Sequence, residues 1–464
     1  MERAQNGQDE RLRYMTTAPV GGLVIRLGIP SVIIMMISGI YNLADTYFVG
    51  ALGTSAVAAV GVVFPLMAII QALGFLFGQG SGNYISRELG AKHFDRASQM
   101  AATGFISCFI ATAVLLLLGQ IFLNPLSLAL GSTPTILPHA RSYIRFILVG
   151  APFMAASQVL NNQLRFQGNS LYAMTGMISG AVLNLALDPL FIFVFHLGVA
   201  GASLATAISQ FVGCVVLLAG CARKGNIAIR LKNFTPSRGN YLEILRGGVP
   251  SLLRQGLQSA STVFINHLAG AYGDVAIAAI SIVNRVAMMV GSSIMGLGQG
   301  FQPVCGFNYG ARLYGRVKQA FWFVAKFAAL AMALCAAVLA VWAPQIIALF
   351  RKDDPELIGL GARYLRLQCI AMPFMGWTVL CNMMAQTMGK ATIASLLAFG
   401  RQGLFLLPLL LILTPAFGLL GIQLSPPGAD ICSFFFCIPF VVRIFKRELK
   451  EEAFPKLQFL GKLP

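Results

Sequence analysis

Twelve stretches of this chain are apolar enough to be dissolved in lipid, and they leave little of the chain over. They run approximately over residues 23–49, 55–85, 99–123, 139–163, 172–195, 199–221, 242–269, 276–302, 318–343, 362–387, 391–414 and 418–442. A hydrocarbon core of about 30 Å needs about 20 helical residues, so each run is long enough to cross one. Of 464 residues, 57% are hydrophobic and 11% charged, where a soluble domain has about a quarter charged. The expected fold is an all-α integral membrane protein with twelve transmembrane helices. The polar opening MERAQNGQDERLRYMTTAPVGG has neither the apolar core nor the cleavage site of a signal peptide, so the first span is expected to be retained.

The net charge of +18 suggests nucleic acid until the basic residues are placed. They alternate by loop. Arg87, Lys92 and Arg96 lie between spans 2 and 3. Arg223, Lys224, Arg230, Lys232 and Arg238 lie between spans 6 and 7. Arg312, Arg316 and Lys318 follow span 8, and Arg443, Lys446, Arg447 and Lys450 follow span 12. The opposite loops ALGTS, FHLG, GAYGD and TPAFGLLG carry no Lys or Arg, and FRKDDPELIG offsets two bases with three acids. The positive-inside rule then puts both termini in the cytoplasm. Membrane lipid, with its anionic headgroups, is the expected partner of the basic surface, and nucleic acid is not. The nine cysteines and four histidines are scattered without a C-x-x-C pair or a ligand cluster, so no cofactor, metal centre or enzyme chemistry is expected.

The chain is also a duplication. Laid over itself without a gap, it sets GIPS at Gly28 on GVPS at Gly248, Gly50-Ala51 on Gly270-Ala271, GQG at Gly78 on GQG at Gly298, and Gly90-Ala91 on Gly310-Ala311. At nearly the same offset PFM at Pro152 meets PFM at Pro373, Asn161 meets Asn382, and Gly198 meets Gly418. The shared residues are those that set backbone shape and close helix approach. Six spans per half is an even number, so the halves are parallel and related by a pseudo-two-fold axis along the membrane normal. The expected organisation is a cytoplasmic arm (1–22), an N-terminal six-helix bundle (23–222), a cytoplasmic linker (223–241), a C-terminal six-helix bundle (242–445) and a cytoplasmic tail (446–464). Two such bundles are the usual body plan of an alternating-access transporter, with the substrate path between them.

Where the halves differ, chemistry is expected rather than scaffold. Asp45 falls on Ile265 and Asp188 on Leu409, so two intramembrane acids belong to the N-terminal half alone. A charged Asp at a helix centre costs about 2.5–3.5 kcal/mol on insertion scales, which calls for a partner or a proton. Asn184 and Asp188 are i and i+4 and share a helix face. Pro189 has no N–H and frees the carbonyl of Leu185. An oxygen-rich face of this kind suits a hard cation or a shared proton, and the residue types leave that choice open. The bland alternative is that each acid ties helices together. Asp430, in SPPGAD, is expected at the solvated start of span 12. Arg254 and the pair Arg401-Gln402 are intramembrane polar residues that either hold helices or line a cavity.

GIPS…NLADTYFVG, the loop ISRELGAKHFDRA, NLALDPLFIF and GVAGASLAT, in this order within a 6+6 duplication, resemble the MATE (multidrug and toxic compound extrusion) transporters over roughly residues 20–445. The resemblance implies a multi-pass antiporter of the prokaryotic inner membrane. It would export cationic and amphiphilic drugs or toxic organic cations in exchange for Na⁺ or H⁺, by rocker-switch alternating access, and act as a monomer. Carried over by motif, the cation site is Asp45, Asn184, Asp188 and Thr206 with the carbonyl of Ala202, and Pro30 is the span-1 proline associated with helix bending. The family's alternative acids in spans 7 or 10 are absent. Drug contacts fall on Tyr41, Asn42, Met154, Gln158 and Asn161, facing Gln255, Gln258, Asn266 and Met288, with Arg401 as a further cavity residue. The alternative cargo is a lipid-linked oligosaccharide, whose flippases carry extra spans and a strongly cationic cavity. Here the bundle interior offers few bases besides Arg254 and Arg401.

Overall fold

Inside hydrocarbon a backbone N–H or C=O finds no water, so apolar runs can be only helices or a closed barrel. Helices are what the chain forms. The computed structural model describes residues 2–350 and 354–450, without the side chains of residues 2–6, 40, 42–46, 54 and 274. No strand occurs among the described residues.

A polar helix α1 (Glu2–Thr17) precedes the first half, which comprises α2 (Val20–Gly50), α3 (Thr54–Gly90), α4 (Phe94–Ile121), the short α5 (Leu123–Ala129), α6 (Leu137–Phe166), α7 (Ser170–Pro189), a π-helical turn over Leu190–Val194, and α8 (Gly198–Cys221). The second half repeats this order with α9 (Arg238–Gly270), α10 (Asp274–Gly310), α11 (Tyr314–Val341), the short α12 (Ala343–Ala348), α13 (Pro355–Thr387), α14 (Ala391–Phe399), a π-helical stretch over Gly400–Leu406, α15 (Leu407–Phe417) and α16 (Leu419–Arg447). Corresponding helices match closely in length: α3 and α10 have 37 residues each, α4 and α11 have 28 each. The turns match as well. Gly53 and Gly273, which lead into α3 and α10, take φ of 108° and 91°, a region open to glycine and costly for other residues.

Among the described residues, eleven helical segments are long and apolar enough to cross a membrane by length and composition. The seventh span of the sequence reading, α9, falls short because Glu243, Arg246, Arg254, Gln255, Gln258, Asn266 and His267 are spread along it. Several polar groups around it meet protein rather than lipid: Gln386 Nε2 donates to the Gly247 carbonyl (2.5 Å) and to Ser251 Oγ (2.8 Å), and Arg254 donates to Asn382 Oδ1 (3.2 Å).

The halves meet through α2, α3, α9 and α10, and the repeated glycines form the seam. A Cβ placed on Gly90 would lie 2.2 Å from the carbonyl oxygen of Phe307, and one on Gly310 would lie 2.0 Å from that of Arg87. Gly310 is the counterpart of Gly90, and Phe307 that of Arg87, so the seam itself obeys the two-fold. Gly80 is pressed against the Ile244 carbonyl, and Gly300 against Gly28, in the same way. All of these glycines lie toward the end that carries the basic loops and α1. Toward the other end a Cβ on Gly39, Gly50, Gly61 or Gly256 would meet nothing within 4 Å, and Tyr47 and Met288 are 77% and 63% exposed. The two halves are therefore sealed at one end and separated at the other.

The helix α1 lies across the sealed end. Its Leu12 and Met15 are buried. Arg11 donates to Asn226 in the linker (2.6 Å), while Asn308 of α10 and Arg316 of α11 donate to the carbonyls of Met15 (3.2 Å) and Ala18 (2.6 Å).

Candidate functional site

The helices α7 and α8 approach closely because small residues face each other: a Cβ on Gly180 would stand 3.2 Å from the Ser209 carbonyl, and one on Gly213 the same distance from the Gly176 carbonyl. That contact brings Asn184 and Asp188 of α7 against Ala202 and Thr206 of α8. All four are buried, Asp188 to 1% exposure. The Asn184 amide is oriented by its partners: its NH₂ donates to Asp188 Oδ2 (2.9 Å) and its oxygen accepts from the Thr206 backbone N–H (3.2 Å). The Thr206 hydroxyl donates to the Ala202 carbonyl (3.1 Å). Pro189 follows Asp188, and beyond it the helix widens into the π turn, where the Leu197 N–H reaches back to the Phe191 carbonyl (3.0 Å). The site is thus one carboxylate, two amide or hydroxyl oxygens and a backbone carbonyl, buried in the protein interior, a set able to hold a proton or a small hard cation.

Asp45 and Asn42 stand in α2, and their side chains lie outside the described residues. The helix α2 packs along α7. Pro30 is buried inside α2 on the sealed half of the seam. Tyr41 is half-buried in the same helix.

The other cavity candidates separate into two groups. Gln255, Gln258, Asn266 and Met288 lie on α9 and α10 toward the separated end, where Gln258 and Met288 are exposed and Gln255 and Asn266 half-buried. The buried Asn266 Oδ1 has no hydrogen-bond partner among the described residues. Gln158 is half-buried on α6. Met154 sits in the hydrophobic core of the first half. Asn161 is buried and donates to the Ala173 carbonyl of α7 (3.1 Å), and its counterpart Asn382 donates to the Ala394 carbonyl of α14 (2.6 Å). Both repeats thus use this asparagine to tie two helices.

Asp430 corrects the sequence reading. It lies well inside α16, 3% exposed, not at a solvated helix start. The Pro426-Pro427-Gly428 run that suggests a break in an aqueous chain is carried within one helix, as the surroundings of a membrane span allow. Arg401, in the π-helical stretch, clasps Asp430 with both arms of its guanidinium: Nε donates to Oδ1 and Nη2 to Oδ2, the latter at 3.2 Å. Neither this pair nor the polar contacts across the seam are visible in the sequence. Arg87 of α3 donates to Glu243 of α9 (3.0 Å) and to the Thr387 carbonyl of α13 (2.9 Å), and the Thr387 hydroxyl donates to Asn83 (2.9 Å). A basic loop residue followed by a distant acid carries no pattern that would announce such a pairing.

Comparison with known proteins agrees with this geometry. The MatE family model matches twice, over residues 30–190 and 250–412, once in each half. The multidrug export protein MepA of Staphylococcus haemolyticus is 29% identical over 430 residues, covering 92% of this chain and 94% of its own. A crystal structure of a MATE protein in complex with MaL6 superposes with a TM-score of 0.87 at 27% identity, covering 94% of this chain and 99% of that one. An outward-facing structure of a multidrug resistance MATE family transporter gives 0.87 at 26% identity, covering 95% and 98%.

Proposed function

The chain belongs to the MatE family, and from that premise we propose that it is a multidrug efflux antiporter of the inner membrane, exporting cationic and amphiphilic small molecules in exchange for Na⁺ or H⁺. The observation that carries the exchange is the buried Asn184–Asp188–Thr206 cluster in one half of a duplicated scaffold. Its counterpart position, Leu409, has no acid. With the basic loops in the cytoplasm, the sealed end faces inward and the separated end outward, and drug leaves between α2, α3, α9 and α10.

Coupling follows the packing. A cation or proton on Asp188 competes with the Asn184 amide for the carboxylate, and so changes the contact between α7 and α8. The helix α7 also packs on α2, and α2 packs on α10 across the seam. The charge state of Asp188 therefore biases the seam only if the two seam states bind the cation with different affinity, and the drug is exported only if its affinity differs in the opposite sense. Ethidium export from cells carrying Asp45→Asn or Asp188→Asn tests the reading. Export falls in both if it holds, and undiminished export in both rejects it.

A further inference from the structure

Each half buries a carboxylate where its last two spans cross. In the first half it is Asp188, on α7 against α8. In the second it is Asp430, on α16 against the π-helical stretch before α15. The crossing is common scaffold: at the offset that sets Asp188 on Leu409, Arg401 falls on Gly180 and Asp430 on Ser209, and Gly180 also packs against Ser209. The second half supplies its own counter-charge: both oxygens of Asp430 are taken by the guanidinium of Arg401, while Asp188 has the Asn184 amide among its partners. We propose that Asp430 marks a second monovalent-cation site, filled by the tethered guanidinium of Arg401, so that the C-terminal half contributes no exchangeable cation to transport.

A guanidinium suits that role. It stays charged in proteins and grips a carboxylate through two parallel hydrogen bonds. Being tethered, it stands at a concentration that a free cation does not match. Among the described residues, the charged or titratable groups facing Asp430 are Arg401, from the π-helical stretch, and Tyr364 of α13, which is buried and close to both. Tyr364 is already engaged by Gln368, whose amide donates to its hydroxyl (3.0 Å). Without Arg401 the buried carboxylate has to acquire a cation or a proton, because an uncompensated charge there is strongly unfavourable.

The inference rests on reading Asp188 as the coupling group, so the test is run with that site silenced. The full-length protein is purified in detergent as Asp188→Asn, as Asp188→Asn with Arg401→Gln, and as those two with Asp430→Asn. Thermal midpoints are compared in NaCl and in equimolar N-methyl-D-glucamine chloride at pH 7.5, and again at pH 6. The expected result is a rise of about 2 °C or more, with Na⁺ or with acid, that appears in the double variant and is absent from the other two. A double variant as indifferent as the triple overturns the inference. If the double variant is too unstable to purify, recovery in the triple variant supports it, and no recovery overturns it. Failure of the coupling reading shows separately, as gradient-driven transport that survives Asp188→Asn.

Discussion

Arg87 and Glu243 come from opposite halves of the duplication and meet at 3.0 Å across the sealed end of the seam. The same guanidinium holds the Thr387 carbonyl, so one side chain ties α3 to both α9 and α13. Hydrogen bonds to charged groups contribute about 1.5–3 kcal/mol each when buried, but this pair is partly solvated, which lowers its share toward the exposed-pair range of about 0–1 kcal/mol. Arg87→Ala is expected to favour opening at that end by about 1–2 kcal/mol, roughly 5- to 30-fold in population. Labelling of a cysteine placed at Gln79, inside the seal, measures it: reactivity from the cytoplasmic side rises in Arg87→Ala and stays at the parent level in Arg87→Lys if the charge alone suffices.

The seam glycines make a sharper prediction. Gly90→Ala and Gly310→Ala each place a methyl group against a backbone carbonyl, which has no rotamer to move aside. Both variants are expected to lose transport at normal expression. Gly61→Ala, where a Cβ meets nothing, is expected to keep transport and to gain up to about 1 kcal/mol of helix stability. Equal losses in all three variants contradict the seam as described.

Asn161 and Asn382 each tie two helices together, and the expectation from this geometry is that they act as tethers rather than as drug ligands. Hydrogen bonds between membrane helices average about 0.6 kcal/mol and reach about 1.7. Asn161→Ala should therefore lower the thermal midpoint modestly and reduce export of chemically unrelated drugs by similar factors. A change confined to one drug class, with an unchanged midpoint, assigns Asn161 to the cavity instead.

The strap α1 predicts a change of state rather than of fold. Removing the segment from Glu2 to Ala18 frees Asn308 and Arg316 from the carbonyls they hold, and the basic-loop end should open more often. The same buried cysteine at position 79 reports it, and unchanged reactivity shows that α1 is a passive cover.

Much of this architecture is written in the residue pattern. The offset that pairs Gly90 with Gly310 already marks both as sites of close helix approach, and the structure shows that the close approach is between the two halves. The Asn184–Asp188 face follows from helical spacing, Ala202 and Thr206 are expected from the resemblance, and the structure brings the four together. Three features were not legible, each for a physical reason. The span 242–269 reads as apolar like the others, and the sequence does not show that the polar groups of α9 are held by protein rather than lipid. Asp430 follows a Pro-Pro-Gly run that signals a turn in water but not inside a packed membrane helix. Pairings such as Arg87 with Glu243 join residues far apart in the chain and depend on tertiary packing alone.

If Asp188 links cation flow to drug export, drug transport in sealed vesicles under one imposed gradient at a time reveals it. With Na⁺ imposed at clamped pH, and then a pH gradient without Na⁺, the parent protein is expected to move drug against its gradient in at least one condition. Asp188→Asn should fail in that same condition while still binding drug. Uphill transport by Asp188→Asn at the parent rate contradicts the account.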